Sequence, residues 1–550
     1  MALQYNLLLY VLLQSAVIAA VLIALIDLAK RAFRLDDLLA FGAGVLALGV
    51  LGYLSFWLAY ANYALFGAIK IAVLVALVIH FAILVYLRRL SNYRWAAEPL
   101  VYAFLFFLII VTLGFSDGGI EDPITTAQSR FSHTLPRDNE IPLLVASGLK
   151  AGHLPSPLFG DWLSSDRPPL QTGLYLFLAL RNIPIYYQIV ASWLQATFLF
   201  GVWGIAAAAA LPVFARRIVL LACCLLSTAI INTFYVWPKM IAVSYLLLAF
   251  ALLFCRTPRN DRERVAIGVL IGGLAALAIL AHGSSFFALI GFTLTVVLFW
   301  AWPPLKSMIY GAATLALLYV PWMLYQQFVD PPGNRLVKWH IAGIEAVDAR
   351  SVGATLRDSY GALSWHEYVT GRFANLETLI GVWPTNLRQL AELVFRGDAS
   401  HVGQIRAADF FNFLTSLQVF SIALMAAIVL MFFMRDDQRQ QRAIAQRLLV
   451  ALEATLIGFA ILIFLPGQTI NHIGSYATQV MAALFAFMVL VLRTPLLAAL
   501  FVLIQAAAVA ATYAFTLHHD PALWPLQAVC TIAAVALFGY SFYPRLTRAS

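Results

Sequence analysis

The sequence predicts an all-α, polytopic membrane bundle of about 13–15 transmembrane helices, with two long outward-facing loops that contain short helices. Three observations predict it. Hydrophobic residues make up 62% of the 550-residue chain and charged residues only 11%; soluble domains carry about 45–50% and about 25%. Mean hydropathy is +0.86. Apolar runs of about 20 residues, enough to cross a bilayer, recur from end to end. The same numbers exclude a disordered chain, a collagen-like repeat and a disulfide scaffold.

The runs fall near 5–29, 38–60, 64–87 and 97–115, then 185–210, 218–236, 239–255, 265–282, 285–302 and 307–325, and finally 412–434, 446–465, 475–493, 495–516 and 522–541. They divide the chain into a transmembrane extension (1–95), a core (96–325) holding a first outer loop at 116–184, a second long outer loop (326–411) and a C-terminal set (412–550). Net charge is +9. Its placement argues for a membrane protein and against nucleic acid. Basic residues gather in alternate loops, at Lys30–Arg34, Arg88–Arg94, Arg216–Arg217, Arg256–Arg264, Arg435–Arg447 and Arg545–Arg548. Lys and Arg mark the cytoplasmic side, so the N-terminus is expected outside and the C-terminus in the cytoplasm. Met1–Asn6 lacks the basic start of a cleavable signal. The four cysteines lie in or beside apolar stretches, which argues against a disulfide framework or a zinc site. The chain carries no P-loop and no dinucleotide-binding glycine pattern.

Polar chemistry concentrates in the outer loops, and long loops without their own spans are usually functional. In the first, Glu140–Gly152 reads as a short amphipathic helix, with Ile141, Leu144, Val145 and Leu149 at helical spacing. Asp138 and Glu140 stand just before it. They complement the helix dipole, or act as general base or acid toward an acceptor hydroxyl, or bind a divalent ion together with a phosphate. Farther on, Phe159-Gly160-Asp161-Trp162 precedes Ser165-Asp166-Arg167-Pro168-Pro169-Leu170. The two prolines fix an extended lead into a helix starting near Leu170, with Asp166 placed to cap it. Arg167 then stands at the water–lipid boundary. Its forked cation suits a lipid phosphate or the upstream carboxylates, or it simply snorkels.

An acidic pair in an outer loop, an amphipathic helix carrying Ala146-Ser147-Gly148, then Gly160-Asp161-Trp162 and Arg167-Pro168-Pro169-Leu170 resemble the first outer loop of the GT-C glycosyltransferases, a superfamily that includes aminoarabinose transferases and protein O-mannosyltransferases. The resemblance covers about 138–173 with its motifs. It implies a multi-pass enzyme of the plasma (inner) membrane, with its site facing the periplasm or exterior. It implies a polyprenyl-phosphate-linked sugar as donor, membrane lipid around it, and a glycan, lipid or protein as acceptor. By the same carry-over Asp138 is the base, Glu140 its acidic neighbour and Arg167 the basic residue. Two features depart from the family: the loop follows the fourth helix rather than the first, and Asn139 separates the two acids.

Other polar residues in apolar surroundings complete the candidates. Lys239, in Tyr235-Val236-Trp237-Pro238-Lys239, is a lone cation in a short outer turn, so it is a candidate for holding donor phosphate or a snorkelling lysine. His282 and His472 sit at outer helix ends, where they either contact sugar or phosphate or serve as ordinary satisfied polar groups. Arg335, Lys338 and His340 follow an Asp330-Pro331-Pro332-Gly333 turn and form a basic cluster suited to pyrophosphate, phosphate or anionic lipid. His518-His519-Asp520 is a weak metal trio, because adjacent histidines point apart. Lys70, deep in the third run, is expected to pair with Asp27 or Glu98. No organic cofactor is expected, and a divalent metal is the one the acidic pair leaves open. The alternatives to a sugar transferase are a polymerase or ligase of lipid-linked glycans and, with less support, a transporter or flippase. A transporter places its polar residues near the bilayer midplane, whereas here they cluster at the outer ends.

Overall fold

A computed structural model describes residues 2–116, 118–465, 470–517 and 523–543, with backbone only at 2–5, 411 and 470–476. Among the described residues the chain is all helix apart from one isolated bridge, Phe159–Trp162. The N-terminal helices are α1 (Ala2–Phe33), α2 (Asp37–Ala61), α3 (Tyr63–Tyr86) and α4 (Arg94–Phe115). The first long loop folds as α5 (Pro123–Ser129) and α6 (Ile141–Ala151). The core continues through α7 (Leu170–Leu178), α8 (Pro184–Ala196), α9 (Phe198–Ala208), α10 (Val213–Cys224), α11 (Ser227–Tyr235), α12 (Lys239–Phe254), α13 (Asp261–Ala281), α14 (Ser285–Leu298) and α15 (Leu305–Phe328). The second long loop holds α16 (Arg335–Ala342), α17 (Val352–Gly361), α18 (Trp365–Ile380), α19 (Trp383–Arg396) and α20 (Val402–Phe411). The C-terminal helices are α21 (Phe413–Ser416), α22 (Phe420–Met431), α23 (Arg439–Leu462), α24 (Ile470–Arg493), α25 (Pro495–Val509) and α26 (Trp524–Phe542).

Among the described residues ten helices are long and apolar enough to span a membrane. The pair α10 and α11, bent by 61°, makes an eleventh, and four shorter apolar helices accompany them. The protein is therefore a multi-pass membrane protein. Its outermost helices show the lipid-facing pattern: only 17% of the apolar stretch of α3 and 11% of that of α15 is buried within the protein. The middle of the bundle is the reverse, and the span Pro184–Ala208 is wholly buried.

Backbone contact replaces side-chain packing where α2 crosses α7. A Cβ on Gly173 would sit 2.1 Å from the Gly52 carbonyl oxygen, so only glycine fits. This crossing seats the helix that follows the Arg167-Pro168-Pro169 segment. The N-terminal helices thus pack directly on the core. Lys70 does not pair with an acid: its ammonium donates to the Ala179 carbonyl. Asp27 is taken by Arg31, His80 and Tyr93, and Glu98 by Arg216, Arg217 and Trp203.

A candidate anion-binding and acid–base site at the two long loops

The acidic pair sits on a short 3-10 turn, Arg137–Glu140, just ahead of α6. Asn139, fully buried, anchors that turn. Its side chain accepts from Gln128 (3.1 Å) and donates to the Ile124 carbonyl (3.0 Å), while its own carbonyl accepts from the Tyr187 hydroxyl (2.7 Å). Tyr235 donates to the Pro136 carbonyl at 2.6 Å. With its neighbours tied at four points, Asp138 is held inward at 7% exposure. Glu140 points elsewhere and pairs with Arg137 at 2.6 Å. The two acids therefore do not converge on one cation; each has its own arginine.

Asp138 pairs with Arg167, which stands 29 residues later. The Arg167 guanidinium also lies 4.7 Å from the Trp162 ring and 5.4 Å from Trp237. Each indole is shared with a second cation. Arg335 stacks on Trp162 at 4.9 Å, and the Lys239 ammonium sits 3.9 Å over Trp237. The order is Lys239, Trp237, Arg167, Trp162, Arg335. Three cations thus share two indole rings, whose π-systems attract positive charge. Arg167 Nε is buried with no hydrogen-bond partner, a further donor beside the Nη2 that holds Asp138.

The turn that presents Lys239 is strained. Val236 ends α11 with φ +55°, a left-handed conformation that a β-branched residue rarely adopts. Its carbonyl is held by Gln171 at 2.8 Å. Gln195 donates to Gln171 at 3.1 Å and accepts the first backbone N–H groups of α12, those of Met240 (3.0 Å) and Ile241 (3.2 Å). This glutamine pair joins α7, α8 and the start of α12 and compensates the strain. Lys239 is 2% exposed, so it does not snorkel. His282, at the end of α13, lies 5.8 Å from the Trp237 ring and bonds to Ser284 at 2.7 Å.

The second loop closes against the first through its opening turn. The Asp330 carboxylate accepts from Ser164 Oγ (2.6 Å) and the Ser165 backbone (3.0 Å). Arg335 bonds the Asp161 carboxylate (2.7 Å) and carbonyl (3.0 Å), so it is a clasp between the loops. Lys338 departs from the expected basic cluster: its ammonium donates to the carbonyls of Asp348 and Arg350 and braces its own loop. His340 also adds no charge. Burial, then the neighbouring Arg167 and Lys239, hold its pKa down to about 3, so the imidazole is neutral. Its Nδ1 is buried without a hydrogen-bond partner. Asp166 does not cap α7; its carboxylate turns back to the Leu163 N–H (2.9 Å). Burial raises its pKa, while that N–H, Arg335 and Arg167 pull the other way.

The rest of the second loop spreads more widely than a cover over the first. Ser132 reaches the Arg406 carbonyl (3.3 Å), but α18 is tied by Arg372 and Asn375 to carbonyls at the end of α23. Trp365 (78%) and Phe373 (63%) are exposed. The side chain of His472 and all of His518-His519-Asp520 lie outside the described residues. Among the described residues, the one His/Asp/Glu group tight enough for a metal is Glu392, Asp398 and His401, between α19 and α20 rather than at the acidic pair.

Asp138, Arg167 and Trp237 line a narrow cleft, together with Gln171, Pro168 and Trp322. Its free space is about 20 Å³, room for a water. Sequence reading missed three of the residues that build it. Asn139 looked like a spacer between acids. Trp162 and Trp237 stood in quoted motifs, but an indole's role as a shared contact for two cations shows only once three distant segments meet.

No family model matches the chain, and no characterised protein matches it in sequence. Among solved structures, it is similar to the crystal structure of ArnT from Cupriavidus metallidurans bound to undecaprenyl phosphate. The likeness covers 74% of this chain and 77% of that one, at 12% identity and a TM-score of 0.34.

Proposed function

We propose that the protein is a GT-C-type membrane glycosyltransferase. It would move a sugar from a polyprenyl-phosphate donor to an acceptor hydroxyl on the outer face of the membrane. One observation carries the reading: a buried carboxylate, Asp138, is held by Nη2 of a guanidinium whose Nε is a further buried donor with no hydrogen-bond partner. That combination offers a base for the acceptor and a clamp for the leaving phosphate side by side.

In this reading the acceptor hydroxyl gives its proton to Asp138. Its oxygen bonds to the anomeric carbon as the bond from that carbon to the phosphate oxygen breaks. Attack opposite the leaving group inverts the anomeric centre. The departing polyprenyl phosphate carries the negative charge, and Arg167 and Lys239 stabilise it as it develops. Neutral His340 suits a hydroxyl donor of the sugar, which its Nδ1 accepts. The cleft holds only a water-sized volume, so donor binding moves side chains, and the Asp330 and Arg335 clasps between the loops are the contacts that yield first. The basic loops on the opposite ends of α12, α13 and α15 support a cytoplasmic position for those ends and an external one for the cleft.

The test is release of polyprenyl phosphate by the purified protein in lipid, offered a panel of polyprenyl-phosphate sugars with glycan, lipid and peptide acceptors. Acceptor-dependent release supports the reading. No release from any donor, with the protein shown folded, argues against it.

A further inference from the structure

A second pocket lies at the other end of α12. That helix begins with Lys239 in the candidate site and runs 16 residues to Phe254, a rise of about 24 Å. Beyond its last turn, the pocket opens between α12, the start of α13, the Ala301–Pro304 segment and α23. Its volume is about 370 Å³. Three arginines, Arg256, Arg264 and Arg447, line it together with Trp302, while Leu252 and Ile271 supply apolar wall.

The arginines are only partly satisfied. Arg256 pairs with Asp36 and lies 3.7 Å from Glu263, and Arg264 pairs with Asp261 at 2.8 Å. Arg447 donates to the Phe254 carbonyl at 2.7 Å and has no carboxylate partner among the described residues. The Nε atoms of Arg256 and Arg447 are buried with no hydrogen-bond partner. Buried donors rarely stay unpaired, because the desolvation cost is not returned. An anion with several acceptor oxygens satisfies them, and a phosphate matches the guanidinium fork. A free phosphate would need only the arginines. Here the wall beside them is aliphatic, and Trp302 is 48% exposed, a residue type enriched where membrane proteins meet lipid headgroups.

We propose that this pocket binds the headgroup phosphate of an anionic phospholipid, with its acyl chains along the aliphatic wall. Basic pockets between helices at the cytoplasmic end of membrane proteins are suited to such headgroups. The site is separate from the Asp138 cleft and independent of what that cleft does.

The test uses the full chain purified in detergent, titrated with phosphatidylglycerol, phosphatidylcholine or inorganic phosphate, with bound lipid counted by native mass spectrometry. Wild type is expected to prefer phosphatidylglycerol, and Arg447→Gln to bind it about fivefold more weakly with phosphatidylcholine unchanged. Arg447→Lys, which keeps the charge, is expected to retain most of the preference. A photoactivatable phosphatidylglycerol on wild type needs no variant to fold, and its adducts are expected within 252–271 and 301–307. An unchanged preference in folded Arg447→Gln, or adducts only elsewhere, overturns the proposal. Displacement of the lipid by equimolar inorganic phosphate overturns the lipid assignment in favour of a soluble anion.

Discussion

Arg167 grips Asp138 across 29 residues of loop, and each side chain is mostly buried, at 13% and 7% exposure. Breaking one partner of such a pair strands the other, at a cost of about 3–5 kcal/mol. Arg167→Gln is therefore expected to lower the unfolding temperature of the solubilised protein and to abolish activity. The double variant Asp138→Asn/Arg167→Gln is expected to regain stability but not activity. Thermal unfolding of Asp138→Asn, Arg167→Gln and the double variant beside wild type checks this; additive losses in the double variant would show the pair is not coupled.

Lys239 and Lys338 were equivalent as sequence candidates, and the fold separates them. Lys239 sits over Trp237 beside the cleft, whereas Lys338 braces two carbonyls of its own loop. Lys239→Ala is expected to raise KM for the donor at least tenfold. Lys338→Ala is expected to reduce stability and leave KM within about twofold, because a loop brace touches no substrate. Donor titration with parallel unfolding curves distinguishes the two, and matching KM values would contradict the separation.

Trp237 keeps two cations together, Arg167 at 5.4 Å and Lys239 at 3.9 Å from its ring. Each such contact contributes about 0.5–2 kcal/mol. Trp237→Phe is expected to keep most donor affinity. Trp237→Leu, which fills space without a π-face, is expected to lose about tenfold. Equal affinities in the two variants would reduce the indole to packing.

Asp409 on α20 ties the second loop to the bundle through Tyr513 and Gln418, each at 2.6 Å. Burial pushes its pKa up to about 7, against the pull of those donors and of Ser227 and Asn386. An unfolded chain titrates this group near 3.9. The folded form thus binds the extra proton, and this group's contribution is full below about pH 4 and is lost as pH rises through about 7. Between pH 5.5 and 8 the unfolding temperature of wild type is expected to fall by several degrees on this account. Asp409→Asn, permanently neutral, is expected to flatten that dependence, and an equal fall in the variant would assign the pH effect to other groups.

The bundle itself was legible, because lipid demands long apolar runs and leaves few ways to satisfy a backbone. Composition placed the spans, and the acidic-pair and Arg167-Pro168-Pro169 motifs marked the two halves of the cleft. Partner choice was not legible. Lys70 lay near two acids in the expected bundle, yet it found the Ala179 carbonyl. His340 read as a cation until its neighbours proved to be two other cations. Asp409 drew no attention in an amphipathic loop, since nothing local shows that it is buried. These outcomes depend on which distant segments meet, which spacing along the chain does not encode.

The central claim is that Asp138, rather than Glu140, is the base. Asp138→Asn and Glu140→Gln test it together, in the polyprenyl-phosphate release assay, with folding followed by thermal unfolding. Loss of a general base costs on the order of 10²–10⁴ in rate. The account predicts that fall for Asp138→Asn and less than about tenfold for Glu140→Gln, whose carboxylate pairs with Arg137 at 2.6 Å. Full release in folded Asp138→Asn, with release lost in Glu140→Gln, would contradict it.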